Sequence, residues 1–515
     1  MSCDVGVYGL SVMGQNMSLN IASKGFHVAV SNRSAEIELL ANTMKRVKIE
    51  NEVLASNAAA TSSISNVKSL QIQGFEDCES FVLSLCKPRK ILILVQAGKA
   101  VDDTIQNLIP YMEAGDIIVD GGNEWYPNSV RRCIDLKKAA NIHYLGMGVS
   151  GGEEGARYGP SLMVGGNEAA FNAIEPIFSK CAAQLDGDES CLALIGPIGA
   201  GNYVKMVHNG IEYADMQLIA EIYNILKNAA ELSNEELSAL FAQWNKTELE
   251  SYLIEITSII FSKKDEITAD ADKYVVDMIL DKTGMKGTGR WTVQDAAERN
   301  VAIPIIASAL DTRYISARKD ERVATSSILS GPIEVPHVEK TQIVEDCRNA
   351  LFAAKICSYS QGFSLIQAAS EQEGWNIDLS SCARIWQKGC IIRASLLGRI
   401  HAILKKNGKK NGTLTSLMAD EEFADDLVHR QQSLRRIVTL AVASGIAVPA
   451  LSAAIAYYDQ VRCSRLPANL TQAQRDFFGG HAYERVDTEG AFHTKWTFSH
   501  SDIGGKVGDR FKGQL

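Results

Sequence analysis

The chain has 515 residues, enough for roughly two to four domains at about 150 residues each, which excludes a short peptide or a small disulfide-stabilised scaffold. With 46% hydrophobic and 22% charged residues, the composition is that of a folded globular protein. The formal net charge of −9 disfavours binding to phosphate backbones or anionic lipids, so we expect neither nucleic acid nor a membrane as a partner.

The first residues alternate short apolar runs with helical patterns. Predicted strands lie at Val5–Tyr8, 26–30, 91–95, 117–119 and 142–145. Strands that are apolar along their whole length and separated by helices are typical of a parallel sheet covered on both faces. We therefore predict a Rossmann-like, doubly wound α/β domain over residues 1–198.

The strand signals fade after Gly196, and apolar residues then recur at helical spacing in windows such as 204–226, 345–369 and 434–445. This pattern predicts a large all-helical domain over residues 199–462. Residues 463–515 are more polar and form a C-terminal tail whose aromatic residues suggest that much of it docks. We interpret the segment 51–84, which is Ser- and Asn-rich in its first half, as a surface insertion before the strand at Ile91.

Residues 437–458 contain no charged side chain and are long enough on paper to cross a bilayer. Gly445 and Pro449 interrupt this stretch, so two buried helices explain it better.

The eleven cysteines are scattered, without a C-x-x-C pair or a His/Cys cluster at zinc spacing. Reduced thiols in a cytoplasmic protein without a metal site fit this pattern best. The opening residues MSCDVGVYGL also lack the basic and long apolar regions of a secretory signal, so we expect a cytoplasmic location.

A glycine turn follows the first predicted strand and opens a helical stretch. It consists of Gly9, Leu10, Ser11, Val12, Met13 and Gly14. A strand, a glycine turn and a helix N-terminus form a dinucleotide site, because free N–H groups and the helix dipole bind a pyrophosphate. Ser11 replaces the usual middle glycine, but the position at the start of a βαβ unit favours this interpretation.

The residues after the second strand indicate which dinucleotide binds. Asn32, Arg33 and Ser34 stand where an NAD enzyme places a carboxylate on the ribose 2′-hydroxyl. A planar cation with two neutral hydrogen-bonding neighbours suits a 2′-phosphate instead. We therefore predict NADP as the cofactor, the alternative being that Arg33 is an ordinary solvated loop residue.

A potential base and a potential acid share one face of a predicted helix. Seven residues separate Lys205 from Glu212, which is close to two helical turns, and His208 and Asn209 lie between them. Such a stripe can bracket a polyhydroxylated ligand, although an ordinary solvated helix face has the same spacing.

Two glycine-rich segments, 120–123 and 149–155, follow predicted strands at the edge where open α/β sheets bind ligands. Further along the chain, cationic groups suited to phosphate occur at Lys286, Arg313, Arg318, Lys319 and Arg322. Taken alone, however, each of these residues is more often a solvated surface residue than a phosphate ligand.

Eight segments in order resemble the decarboxylating 6-phosphogluconate dehydrogenase family. They are GLSVMGQNM, SNRS, DGGN, VSGGEEGARYGPSLM, KMVHNGIEY, KGTGRWT, ARKDER and LPANLTQAQRDFFGGHAYE, and they span nearly the whole chain. The resemblance implies oxidative decarboxylation of 6-phosphogluconate to ribulose 5-phosphate and CO2 with reduction of NADP, a step of the pentose phosphate pathway.

The resemblance also implies roles for individual residues. Lys205 matches the general base and Glu212 the general acid. The substrate-binding residues implied are Asn123, Ser150, Gly151, Gly152, His208, Asn209, Tyr213, Lys286, Thr288, Arg313, Arg475 and His481. Those implied for the cofactor are Val95, Gln96, Ala97 and Asn123, besides the glycine turn and residues 32–34. Arg475 and His481 match tail residues that reach the active site of the partner subunit, which implies a homodimer.

Two departures from the family pattern concern the cofactor. Gln96 stands where relatives commonly carry a lysine, and Glu124 follows Asn123 where a small residue is usual. Two alternative functions remain open at this point. One is an NADP-dependent 3-hydroxyacid dehydrogenase acting on a smaller acid, and the other is a catalytically silent NADP-binding scaffold.

Overall fold

The computed structural model describes residues 2–33, 36–60, 69–267, 272–333, 336–408 and 416–496. The chain divides into two compact units, Met1–Ile455 and Ala456–Leu515.

The first part of the larger unit alternates strands and helices. Its strands are β1 (Val5–Tyr8), β2 (Val28–Ser31), β3 (Ile72–Phe75), β4 (Lys90–Ile93), β5 (Ile117–Asp120), β6 (His143–Ser150), β7 (Ser161–Gly165) and β8 (Leu192–Gly196). Its helices are α1 (Val12–Ser23), α2 (Ile37–Ala60), α3 (Cys78–Leu83), α4 (Lys99–Leu108), α5 (Tyr126–Ala140), α6 (Gly152–Tyr158) and α7 (Glu168–Cys181), with a 3-10 turn at Ile109–Tyr111.

These strands form one eight-stranded sheet in the order β3-β2-β1-β4-β5-β6-β7-β8. Neighbouring strands are parallel except β6 and β7, which pair antiparallel. β1, β2 and β5 are buried along their whole length, because helices cover both faces of the sheet. The predicted doubly wound α/β fold is confirmed, whereas the antiparallel β7 was not predicted.

The prediction that residues 51–84 form a surface insertion is wrong. Helix α2 continues to Ala60, β3 pairs in parallel with β2, and α3 follows. As the edge strand, β3 is only partly buried, so its sequence IQGF lacks the apolar run that identified the inner strands. Residues 61–68 lie outside the described part of the chain.

The remainder of the larger unit is helical. It contains α8 (Ala200–Asn228), α9 (Asn234–Trp244), α10 (Tyr252–Ser262), α11 (Val275–Met278), α12 (Thr288–Glu298), α13 (Pro304–Ala317), α14 (Lys319–Ser326), α15 (Lys340–Gln372), α16 (Leu379–Ile385), α17 (Ser395–Gly408), a 3-10 turn at Leu417–Ala419 and α18 (Glu421–Ala443). The next helix, α19 (Pro449–Val461), includes the boundary between the two units at residues 455 and 456. The predicted helical domain is confirmed, and Gly445 lies between α18 and α19 with a φ of 69°. Across the described residues, no helix combines the length and apolar character needed to cross a bilayer.

Helix α8 lies between the sheet and the helical region. It contacts β6, β7 and β8 at one end and packs against α12, α13 and α15. Its first turn sits very close to the sheet, since a Cβ at Gly201 would lie 2.5 Å from the amide nitrogen of Gly165 and the carbonyl oxygen of Met163. The sheet therefore fixes the position of the helix that carries the predicted catalytic residues.

The smaller unit contains α20 (Ala468–Gly479) and a two-stranded antiparallel hairpin of β9 (Tyr483–Glu484) and β10 (Ala491–Phe492). The buried carboxylate of Asp476 accepts hydrogen bonds from the amides of Ala482 and Thr494 at 3.0 Å each. It also contacts His493 Nδ1 at 2.8 Å and accepts from Trp496 Nε1 at 2.7 Å. One carboxylate thus holds the hairpin against α20, a helix the sequence pattern did not reveal.

Candidate active site

The glycine turn between β1 and α1 has the shape that a pyrophosphate site requires. Gly9 has a φ of 100°, and a Cβ at Gly14 would lie 1.8 Å from the carbonyl oxygen of Gly9, so both positions demand glycine. Ser11 is the N-cap of α1, and no described side chain caps the first turn of this helix. Val12 is 53% exposed, which leaves the N-terminus of α1 accessible to an anion. The turn therefore fits a dinucleotide.

Asn32 and Arg33 follow β2 beside this turn. The buried Asn32 accepts a long hydrogen bond from the Leu10 amide at 3.4 Å and donates to the carbonyl oxygen of Glu36 at 2.9 Å. It thus links the glycine turn to the start of α2. The partly exposed Arg33 forms an ion pair with Glu36 at 2.6 Å, so its guanidinium lies at the surface beside the turn. Ser34 lies outside the described residues.

The loop after β4 borders the glycine turn. The amide of Leu94 donates to the carbonyl oxygen of Tyr8 at 2.8 Å, and a Cβ at Gly9 would lie 2.6 Å from the carbonyl oxygen of Leu94. Val95 and Ala97 are half-buried, and Gln96 is exposed. The structure therefore brings this predicted cofactor segment to the glycine turn.

Lys205 is buried in α8 and surrounded by polar groups. Its Nζ donates to Asn209 Oδ1 at 2.8 Å and lies 3.4 Å from His208 Nδ1. Burial lowers the pKa of Lys205, and the nearby Glu212 counteracts this only in part. Burial therefore favours the neutral amine of Lys205 over its ammonium form.

His208 and Asn209 connect Lys205 to two other segments. His208 Nε2 is 3.1 Å from Ser150 Oγ, at the end of β6, and Asn209 Nδ2 donates to Thr288 Oγ1 at 3.1 Å, at the start of α12. Burial, together with the charge of Lys205, holds the pKa of His208 well below its ordinary value. The imidazole is therefore neutral at physiological pH.

Glu212 lies two helical turns beyond Lys205 on α8. Its Oε2 is 3.9 Å from His208 Nδ1. Burial raises the pKa of Glu212, against the opposing effects of Lys205 and Arg313. The carboxyl group can thus hold a proton at a pH where an ordinary glutamate is ionised. The arrangement places a potential proton acceptor and a potential proton donor on one helix.

Arg313, from α13, marks a cationic border of this region. Its guanidinium carbon lies 3.5 Å from the centre of the Tyr213 ring, and it donates to the carbonyl oxygen of Gly284 at 3.0 Å. Lys286 is exposed in the loop before α12. By contrast, Arg322 and Lys319 of the predicted cationic cluster both form ion pairs with Asp281. Their charges are therefore already paired within the protein.

The glycine-rich loops after β5 and β6 both reach α8. A narrow crevice lies between the loop of Gly122 and Asn123, Lys205 of α8 and Thr288. At the end of β6, Ser150 lies beside His208, and Gly151 has a φ of 128°. Gly152 follows with a φ of 61°. The structure therefore joins the loop, helix and α12 residues that the sequence predicted separately.

Arg475 and His481 belong to the smaller unit. Arg475 donates to Gln472 Oε1 at 3.0 Å, and the His481 ring contacts Phe478 edge to face at a centroid distance of 6.1 Å. Both side chains are at least partly exposed within that unit.

Three buried polar residues near the crevice were not predicted. Asn202 lines the crevice, and neither of its side-chain amide atoms has a hydrogen-bond partner among the described residues. Glu124 and Arg132 form a buried ion pair at 2.6 Å beside Asn123. Glu124 stood out in the sequence only as a departure from the family pattern, and Arg132 carried no signal. No cluster of three or more His, Cys, Asp or Glu suited to a metal occurs in the described ranges.

A Rossmann-like sheet with a glycine turn, followed by a helical domain whose first helix carries a lysine and a carboxyl group, defines a two-domain dinucleotide-dependent dehydrogenase. The family model described as the NAD binding domain of 6-phosphogluconate dehydrogenase matches residues 4–196, and that of the C-terminal domain of 6-phosphogluconate dehydrogenase matches residues 201–496. The chain belongs to the 6-phosphogluconate dehydrogenase family.

Individual relatives agree over nearly the whole chain. The chain is 52% identical over 499 residues to "6-phosphogluconate dehydrogenase, decarboxylating 2, chloroplastic" of Oryza sativa subsp. japonica, covering 96% of this chain and 93% of the relative. It is 49% identical over 493 residues to the NADP(+)-dependent, decarboxylating enzyme of Bacillus subtilis, covering 96% and 98%. Among solved structures, Plasmodium falciparum 6-phosphogluconate dehydrogenase, studied in its apo form and in complexes with NADP+ and 6-phosphogluconate, matches with a TM-score of 0.86 and 47% identity, covering 96% of this chain and 100% of that one.

Proposed function

We propose that this protein catalyses the oxidative decarboxylation of 6-phosphogluconate to ribulose 5-phosphate and CO2, with reduction of NADP+ to NADPH. The observation that carries the proposal is the pairing on α8 of a buried lysine with a lowered pKa and a carboxyl group with a raised pKa. A reaction that first removes and later returns a proton needs both groups in these states.

The first step needs a base at the substrate 3-hydroxyl. Neutral Lys205 Nζ accepts the hydroxyl proton while C3 loses a hydride, and Asn209 Oδ1 orients the amine through its 2.8 Å hydrogen bond. NADP+, when bound, supplies the hydride acceptor. The 3-keto acid then loses CO2, and the Lys205 ammonium stabilises and protonates the developing enolate oxygen. Glu212 then donates a proton to the carbon from which CO2 departed, which is C1 of the product, while Lys205 takes back the proton of the enol hydroxyl, and ribulose 5-phosphate results.

The remaining site residues hold the substrate. Asn123, Ser150, Gly151, Gly152, His208 and Asn209 bind the sugar acid. Tyr213, Lys286, Thr288 and Arg313 bind chiefly its phosphate. The position of the Arg313 guanidinium, against the Tyr213 ring and near Glu212, supports this assignment.

The cofactor binds along the glycine turn. Residues 9–14 hold the pyrophosphate, Asn32, Arg33 and Ser34 border the 2′-phosphate, and Val95, Gln96, Ala97 and Asn123 line the nicotinamide side. The exposed N-terminus of α1 and the surface position of Arg33 support this assignment.

We further propose a homodimer in which Arg475 and His481 of the partner subunit complete each active site. Residues 1–198 then form the cofactor domain, 199–462 the substrate and dimerisation domain, and 463–515 the exchanged tail. The compact fold of α20 and its hairpin around Asp476 supports the tail as a preformed element.

We place the protein in the cytoplasm. The cysteines of the described residues are free thiols, which supports a reducing compartment. Subcellular fractionation tests this placement, and recovery of the protein in a membrane-bounded organelle contradicts it.

One assay tests the reaction. Absorbance of NADPH is followed with 6-phosphogluconate and NADP+, in parallel with NAD+ and with 3-hydroxyisobutyrate as the competing smaller acid. We expect rapid reduction of NADP+ with release of CO2 from 6-phosphogluconate alone. Faster turnover of 3-hydroxyisobutyrate, or NADP+ binding without turnover, contradicts the proposal.

A further inference from the structure

Glu124 is a buried carboxylate near the end of the segment between β5 and α5, with an exposed fraction of 3%. It accepts hydrogen bonds from the amides of Gly98 and Trp125, both at 2.8 Å, and from Asn128 Nδ2 at 3.0 Å. Its fourth partner is Arg132 Nη1 at 2.6 Å. Burial alone opposes its charge, but these donors together lower the pKa of Glu124, so the group is ionised at neutral pH.

Arg132 completes a clamp around one residue, Gly98. Its Nη2 donates to the carbonyl oxygen of Gly98 at 2.9 Å, while its Nε donates to Asp102 at 2.8 Å. Glu124 and Arg132 therefore bind the N–H and the C=O of the same residue. Gly98 has a φ of 87° and is the N-cap of α4, so the clamp fixes the point where the loop after β4 turns into a helix.

The clamped loop is the one that borders the glycine turn. Val95, Gln96 and Ala97 immediately precede Gly98, and Leu94 contacts Gly9 closely enough to exclude a Cβ. Glu124 is also the residue next to Asn123. The ion pair thus joins two loops to which the proposed function assigns cofactor and substrate contacts.

We propose that Glu124 and Arg132 are positioning residues that hold the 95–98 loop in the conformation that binds NADP. The inference rests on the proposed function for the identity of the cofactor. If the loop is already ordered before NADP binds, less conformational entropy is lost on binding, and the binding free energy is more favourable. The buried Arg132 guanidinium needs an anionic partner in the interior, and Glu124 supplies it.

The test is the affinity for NADP of the full-length Glu124→Gln protein. Glutamine preserves the shape of the Glu124 side chain, but its NH2 group is a donor and cannot accept the hydrogen bonds that one carboxylate oxygen accepts. The loop at Gly98 therefore loses part of the hydrogen bonding that holds it. We expect the Kd for NADP, measured by calorimetric titration without substrate, to rise about tenfold. The KM for NADP rises in parallel, and kcat at saturating NADP and substrate stays within about threefold.

Asp116→Asn is the matched control. Asp116 forms a buried ion pair with Arg89 at 2.9 Å in the same sheet, but before β4 and β5, at the end opposite the clamp. This variant should lower the melting temperature as Glu124→Gln does and leave the Kd for NADP within twofold. Arg132→Lys is the second clamp variant, because one ammonium group cannot contact Glu124, Gly98 and Asp102 together. It should also weaken NADP binding, and it keeps the proposal testable if Glu124→Gln fails to fold.

Two results overturn the clamp. One is a Kd for NADP within twofold of wild type in the folded clamp variants, and the other is an equal rise in Asp116→Asn. Because titration needs no turnover, a wild-type protein that binds NADP but does not oxidise 6-phosphogluconate disproves the proposed reaction while the clamp result still stands.

Discussion

Lys355 of α15 and Asp215 of α8 form an ion pair in which both side chains are 1% exposed, with the Lys355 Nζ 2.6 Å from each carboxylate oxygen. Asp215 lies one turn beyond Glu212 and raises its pKa. The pair therefore joins two central helices directly beside the proposed general acid.

Removing one partner of this pair should destabilise the protein strongly. Lys355→Met leaves the Asp215 charge buried without compensation, and we expect a loss of about 3–5 kcal/mol in the free energy of unfolding. The double variant Lys355→Met with Asp215→Leu should lose clearly less, because no isolated charge remains. Chemical denaturation measures both, and a double variant less stable than the single one contradicts the prediction.

Lys205→Ala should abolish turnover and preserve cofactor binding. Loss of the proposed base lowers kcat by about 10³–10⁴-fold, while the Kd for NADP stays within about threefold, because the glycine turn lies elsewhere in the fold. Lys227→Ala is the control on the same helix, since its ammonium pairs at the surface with Asp277 at 2.7 Å. Steady-state kinetics decide the matter: substantial activity in Lys205→Ala removes this residue from the base role.

Arg33→Ala should change cofactor preference. We expect the KM for NADP to rise about 10–100-fold, since charge-assisted hydrogen bonds to the 2′-phosphate are lost, with little change for NAD. Glu36→Gln is a useful comparison, because Glu36 competes for the same guanidinium at 2.6 Å and its removal should not weaken NADP binding. Equal losses for both cofactors would assign Arg33 a purely structural role.

Glu221 should make stability depend on pH. Its buried carboxylate accepts from the amides of Ala450 and Leu451 at 2.9 Å each, and burial raises its pKa from 4.5 to about 7. Between these values the unfolded chain releases the proton while the folded chain keeps it. The contribution of Glu221 is therefore full below pH 4.5 and is lost as the pH rises through about 7.

The comparison variant is Glu221→Gln, which carries no charge at any pH. The stability of wild type relative to this variant should fall by about 3 kcal/mol as the pH rises from 4 to 8, on top of a constant difference from the lost amide contact. Thermal denaturation over this pH range checks the sign. A difference that is flat with pH would show that Glu221 titrates normally.

Asp476→Asn should loosen the tail hairpin. Asparagine offers one acceptor oxygen in place of the carboxylate that serves four donors, so amide exchange near residues 482–494 should accelerate about tenfold or more. The control is Asp487→Asn, whose exposed carboxylate pairs locally with Arg485. If the tail completes the partner's active site, kcat/KM falls in Asp476→Asn and not in the control.

The sequence predicted the fold where its signal was periodic or apolar. The inner strands are buried on both faces, and α8, α15 and α18 carry apolar residues at helical spacing over long stretches. These elements could therefore be recognised from the sequence. The edge strand β3 is half-exposed, and β7 runs antiparallel, so neither follows the pattern used to identify the others.

The candidate site shows the same division. Lys205, His208, Asn209 and Glu212 are neighbours along one helix, so their proximity could be predicted from spacing. The contacts of His208 with Ser150 and of Asn209 with Thr288 join residues 58 and 79 positions apart, which only the tertiary fold brings together. The contacts of Gly98 with Glu124 and Arg132 likewise join residues 26 and 34 positions apart, so the sequence pattern does not reveal them.

The unbroken course of α8 from the sheet through Lys205 to Glu212 has an evolutionary consequence. Each residue inserted or deleted between them turns everything beyond it by about 100° around the helix axis. Glu212 would then face a different neighbour, whatever amino acids were chosen. Length variation among homologues should therefore accumulate in surface connections and be absent from this stretch.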